Sequence, residues 1–112
     1  MIGLPTETDE DIIAIADLCE QILVKAKEAA GDKRKHGVNI SVSCAIFVPK
    51  AQTPFMFDGQ INMDEASRKI QLIRSNIKSK AISFSWHDPK TSFIEAVLSR
   101  GGRQCSQLIY NA

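Results

Sequence analysis

No stretch of the chain reaches the 18 or so consecutive apolar residues that suggest a membrane-spanning helix. The opening Met1-Ile2-Gly3-Leu4-Pro5 has no basic residue, and Glu7, Asp9, Glu10 and Asp11 follow closely, unlike a secretion signal. A cytoplasmic location with no membrane partner is therefore expected. Cysteine is scarce: Cys19, Cys44 and Cys105 are odd in number and widely spaced, which argues against a disulfide framework. No Cys-x-x-Cys is present, so no local motif can build a zinc or iron–sulfur site. The three thiols read as small buried hydrophobes. Aromatic residues make up only 6% and no nucleic-acid-binding motif is present, so nucleic acid is not an expected partner. Internal repeats and low-complexity segments are also absent.

What remains suits one globular domain: 112 residues, 44% of them apolar and 24% charged. The net charge of +1 hides an asymmetry. Residues 1–32 hold two lysines against eight acids, and residues 33–112 hold twelve cations against five acids. A basic face of this kind meets RNA or another anion, covers an acidic neighbour, or is simply solvated.

Residues 1–4 resemble the tail of a buried strand. Thr8 then suits a helix cap, with acids at Asp9, Glu10 and Asp11 in the first turn. Ile12, Ile15, Ala16, Cys19, Ile22, Leu23 and Ala26 follow at helical spacing, and Gly31 is a natural stop. A charged turn holding Lys33, Arg34, Lys35 and His36 leads to an alternating strand over residues 38–48. Its Ile40, Val42, Cys44, Ile46 and Val48 form one face; Asn39, Ser41, Ser43, Ala45 and Phe47 form the other. A second helix starts near Asn62, with an apolar stripe of Met63, Ala66, Ile70, Ile73 and Ile77, and with Arg68, Lys69, Arg74 and Lys78 read as solvated. A strand over residues 81–86 follows, with Trp86 expected in the core. Asp88-Pro89 opens a helix, Gly101-Gly102 stops it, and a short helix runs over residues 104–110. Strands alternating with helices imply parallel βα units.

Three stretches resemble one family. Gly3-Leu4-Pro5-Thr6-Glu7-Thr8-Asp9-Glu10-Asp11 is similar to the G-[FL]-P-x-E-T-x-E-D segment of radical S-adenosylmethionine enzymes. Ser41-Val42-Ser43, running through Val48-Pro49-Lys50 to Thr53-Pro54-Phe55, resembles that family's sixth barrel strand and exit loop. Ser85-Trp86-His87-Asp88-Pro89, with Glu95-Ala96-Val97-Leu98-Ser99-Arg100-Gly101, resembles a cobalamin-binding-domain subfamily of unassigned reaction. Together they cover nearly the whole chain in the family's order.

The resemblance implies an α/β fold: part of a (βα) barrel with two or three strands and about four helices. Residues 1–80 would be the C-terminal βα units of the barrel, and residues 81–112 an extension packed on the same domain. It implies that Gly3, Leu4, Glu7, Ile46, Phe47 and Val48 help seat S-adenosylmethionine, some through backbone atoms. It also implies a parent protein with a [4Fe–4S] cluster and, through the subfamily likeness, cobalamin as a second candidate cofactor of that parent. The family's C-x-x-x-C-x-x-C is absent, so this chain by itself should hold no cluster and have no catalytic or metal-binding residue. The expected partner is the remainder of the catalytic domain, with a homodimer through open edges as the substitute. Two other readings stand beside this one: an interaction module with a basic face for RNA, and a small enzyme using Glu7, His87 and Asp88.

Overall fold

The computed structural model describes residues 1–31 and 37–112; the expected turn at Lys33, Arg34, Lys35 and His36 lies outside the described residues. The first helix, α1 (Asp9–Ala30), begins as its sequence dictates. The Asp11 N–H donates to Thr8 Oγ1 (3.3 Å), and the Thr8 N–H donates to the Asp11 carboxylate (2.9 Å). This reciprocal pair satisfies two of the amide donors that a helix start leaves unbonded. The same Thr8 N–H holds the Asp11 carboxyl below its ordinary range. Thr8→Ala is expected to cost about 1 kcal/mol, read as a lower urea midpoint at unchanged slope.

Five further elements follow: β1 (Ile40–Cys44), α2 (Met63–Asn76), β2 (Ile82–Trp86), α3 (Pro89–Arg100) and α4 (Cys105–Tyr110). The fold is mixed α/β, with four helices and two parallel strands among the described residues. Ile40 pairs with Ile82 and Cys44 with Trp86. β1 is shorter than the alternation over residues 38–48 predicts. Beyond Cys44 the chain leaves β2 and turns to the N-terminal segment: the Ile2 N–H donates to Ala45 C=O (2.9 Å) and the Phe47 N–H to Ile2 C=O (2.8 Å). This makes a single parallel bridge, Ile2 to Ile46, on the edge of β1 opposite β2.

The period of two sorts the sheet into unlike faces. Cys44 and Ile46 pack with Ile2, Ile12, Ala16, Ala66, Ile70 and Ile73 beneath α1 and α2. Ile82 joins Cys19 and Leu23, with Ile40 and Val42 against them. Ser41, Ser43, Ser83 and Ser85 lie on the other face, all exposed and in register as Ser41–Ser83 and Ser43–Ser85. Trp86 departs from expectation. It is 37% exposed: β2 is the outer strand, and the Arg74 guanidinium of α2 lies over its ring. Arg68 and Lys69 are not simply solvated: Arg68 bridges Asp9 and Glu65, and Lys69 is buried.

The radius of gyration is 18.0 Å, against about 13 Å for a compact domain of this length. The excess reflects an elongated shape, 60 Å in its longest extent and 30 and 24 Å across, which leaves apolar faces open. Leu18, Ile22 and Val24 on α1, Phe93 and Ile94 on α3, and Leu108 and Ile109 on α4 are all exposed. No described helix is long and apolar enough to cross a membrane.

Candidate functional site

Parallel βα units direct their strand ends and following loops to one end of the sheet, where ligands of such folds bind. A cleft of about 490 Å³ opens there. Its walls include Leu4, Ile46, Phe47 and Val48, with Lys50, Phe55, His87 and Glu95 around them. Four of the six residues expected to seat a nucleoside thus come together from two separate segments. Their side chains contribute unequally. Ile46 is 6% and Phe47 7% exposed, so these two present little surface to the cleft. Phe55 packs edge-on against Phe47 at 5.4 Å, covering it from the loop side. Gln52, at φ 62°, turns that loop sharply, and the Thr53 hydroxyl donates to Lys50 C=O at 2.7 Å. Lys50 Nζ lies 2.8 Å from Glu95 Oε1 and ties the loop to α3 across the rim.

Gly3 and Glu7 stand behind this wall rather than in it. They line an adjoining hollow of about 270 Å³ with Gln60 and Lys69. Gly3 sits at φ +87°, where a Cβ would lie 2.8 Å from Ile61 Cγ2, so glycine is required both for backbone and for space. Its N–H donates to Glu7 Oε2 at 2.8 Å, and Lys69 Nζ donates to the same oxygen at 2.7 Å. Both charged side chains are almost wholly buried, at 6% and 7% exposure. This buried pair fixes the turn after Ile2, and with it the position of Leu4.

Lys69 is the residue that sequence reasoning missed. Its signal was present: Ala66, Lys69, Ile70 and Ile73 fall on one helical stripe, so Lys69 occupies an inward slot. The three groups of the small-enzyme reading do not form a unit. Glu7 is held by Gly3 and Lys69, the Asp88 carboxylate accepts the Lys90 N–H as a helix cap (3.0 Å), and His87 lines the larger cleft.

The cysteines do not fit a cluster. Cys19 and Cys44 are buried, and burial pushes both thiols up, away from the thiolate that iron binding needs. Cys105 lies on α4, partly exposed because that short helix has no buried residue. No group of three potential metal ligands occurs among the described residues. Folded protein treated with a thiol-reactive dye at pH 8 should label at Cys105 first. Cys19 and Cys44 should react only on unfolding, as peptide mapping of the dye would record.

No family model matches the chain. No solved structure matches it either. It is similar to an uncharacterized protein of Methanocaldococcus jannaschii, with 27% identity over 110 residues. That alignment takes in 97% of this chain and 22% of the relative, so the chain spans about a fifth of the relative's length.

Proposed function

We propose that the chain is the C-terminal part of a radical S-adenosylmethionine catalytic domain and forms one wall of its nucleoside pocket. The observation that carries this reading is the convergence of Leu4, Ile46, Phe47 and Val48 on one cleft at the strand ends. These residues belong to two of the stretches that resemble the family. The cleft's volume lies within the range of small-molecule sites, and its lining suits a flat, mostly apolar ring system. The serine face of the sheet would then border the barrel interior, while α1 and α2 lie outside.

In the parent, bound S-adenosylmethionine would supply hydrogen-abstraction chemistry. This chain's part is to bind and orient. Leu4 and Val48 offer apolar contact, and the backbone groups of residues 46–48 other than the Phe47 N–H, which is held by Ile2 C=O, offer hydrogen bonds beside the ring. Glu7, Lys69 and Gly3 act behind the wall as positioning residues. The residues here do not fit the cluster itself, so its ligands belong to another part of the parent. The exposed apolar residues of α1 and α3 are the surface that the rest of the domain covers, with self-association as the substitute in the isolated chain.

Titration of the isotopically labelled chain with 5′-deoxyadenosine tests the reading. Amide shifts should concentrate at Leu4, Ile46, Phe47 and Val48 and saturate together. Shifts spread over the surface, or none at these four residues up to millimolar ligand, would contradict it.

A further inference from the structure

A second site lies away from the cleft, in the groove between the C-terminal half of α2 and the outer edge of β2. We propose that this groove binds a nucleotide unit, with its phosphate held by Arg74, Lys78 and Lys80 and its base against Trp86. The groove measures about 360 Å³, within the range of small-ligand sites, and none of its lining residues is acidic.

The case begins with which cations already have protein partners. Lys25, Lys50, Arg68 and Lys69 are paired with carboxylates, and Arg100 donates to the carbonyls of Met56 and Asp58. Arg74, Lys78 and Lys80, like Lys27, Lys90 and Arg103, form no ion pair among the described residues, and what sets the first three apart is that they line one groove. The nearby Glu20 carboxylate does not cancel them through a side-chain pair. Its Oε1 is turned onto the backbone N–H groups of Lys78 and Ser79, at 2.9 Å each.

The aromatic surface is the second observation. Trp86 is 37% exposed in the same groove, tilted against Phe84 at 5.5 Å between ring centroids. The Arg74 guanidinium lies 5.9 Å from the centre of the Trp86 ring, so charge and aromatic face are adjacent. A bare anion uses the cations and leaves the rings idle. A nucleotide uses both, as in single-strand sites that combine a basic groove with stacking side chains. Free nucleotides and unpaired strands share this chemistry. The site does not rest on the nucleoside reading of the cleft.

Trp86 is the chain's only tryptophan, so its fluorescence reports directly on the groove. The full chain is titrated with inorganic phosphate, adenosine monophosphate and a dye-labelled ten-residue oligouridylate, recording Trp86 quenching and dye anisotropy. Saturable quenching by the monophosphate identifies a free-nucleotide site. Quenching by the oligomer alone identifies a strand site. For the strand, log K should fall with log salt at a slope of about −2, the value for three cations. Combining Lys78→Ala with Lys80→Ala should weaken binding at least about tenfold and flatten that slope to about −0.7. Trp86→Leu, followed by anisotropy, should weaken binding by roughly 5- to 100-fold, whereas Trp86→Phe should largely retain it. Circular dichroism checks that each variant is folded. Quenching by phosphate alone, binding insensitive to the lysine substitutions, or no binding by either nucleotide form would overturn the proposal.

Discussion

Lys69→Met should destabilise the fold by about 3–5 kcal/mol, a substantial part of the roughly 5–15 kcal/mol expected for a domain. The substitution keeps most of the side-chain volume, so the loss is not one of packing. It leaves the Glu7 carboxylate buried with the Gly3 N–H as its one remaining donor among the described residues. An uncompensated charge in such a place costs far more than the net worth of the pair. Combining Glu7→Leu with Lys69→Met should therefore cost less than the two single changes added together. A remainder of about 1–3 kcal/mol should persist, because the Gly3 N–H loses its acceptor. Urea unfolding of the four proteins gives the coupling directly. Strict additivity would mean that the pair does not act as a unit.

Ile73→Ala should cost about 2–5 kcal/mol for a different reason. Ile73 is wholly buried in the cluster that joins α1, α2 and the sheet. Removing its outer carbons loses transfer energy and leaves a cavity between elements that can close only partly. The same change at Ile94, exposed on α3, should alter stability by less than about 0.5 kcal/mol in the isolated chain. The contrast separates the core formed within this chain from apolar surface left for a partner. A large loss at Ile94 would show that α3 already buries that side chain.

Much of this fold was legible because its local signals agree with one another. Thr8 and Asp11 cap α1, Asn62 accepts the Glu65 N–H at the start of α2, and Asp88 with Pro89 starts α3. The alternation of Ile40, Val42 and Cys44 against Ser41 and Ser43 separated the two faces of β1 before any partner strand was known. What escaped depended on contacts distant in sequence. β1 ends at Cys44 because its partner β2 ends at Trp86, and beyond that point Ala45 and Phe47 bond to Ile2, more than 40 residues earlier; alternation reports neither. Lys69 was placed on the solvated side because it is a cation, although its helical position points inward. Its burial depends on Glu7, 62 positions away. Trp86 was assigned to the core by residue type, but β2 is the outer strand and leaves it partly open.

The cleft was legible only in part. Leu4, Ile46, Phe47 and Val48 meet there, whereas Gly3 and Glu7 fall behind it because Gly3 turns at positive φ and hands its N–H to Glu7. No spacing rule distinguishes a residue that lines a pocket from one that holds the lining residue in place. Only geometry separates the two kinds.

The proposed function puts this chain in an enzyme that cleaves S-adenosylmethionine reductively. Its most direct test is to capture the native protein anaerobically from its source cells, using an antibody against this chain. The captured protein is then assayed for 5′-deoxyadenosine formation from S-adenosylmethionine and dithionite. The account predicts 5′-deoxyadenosine from an iron-containing polypeptide several times larger than 12.4 kDa. A native band near 12.4 kDa, or a larger iron-loaded protein that forms no 5′-deoxyadenosine, would contradict it.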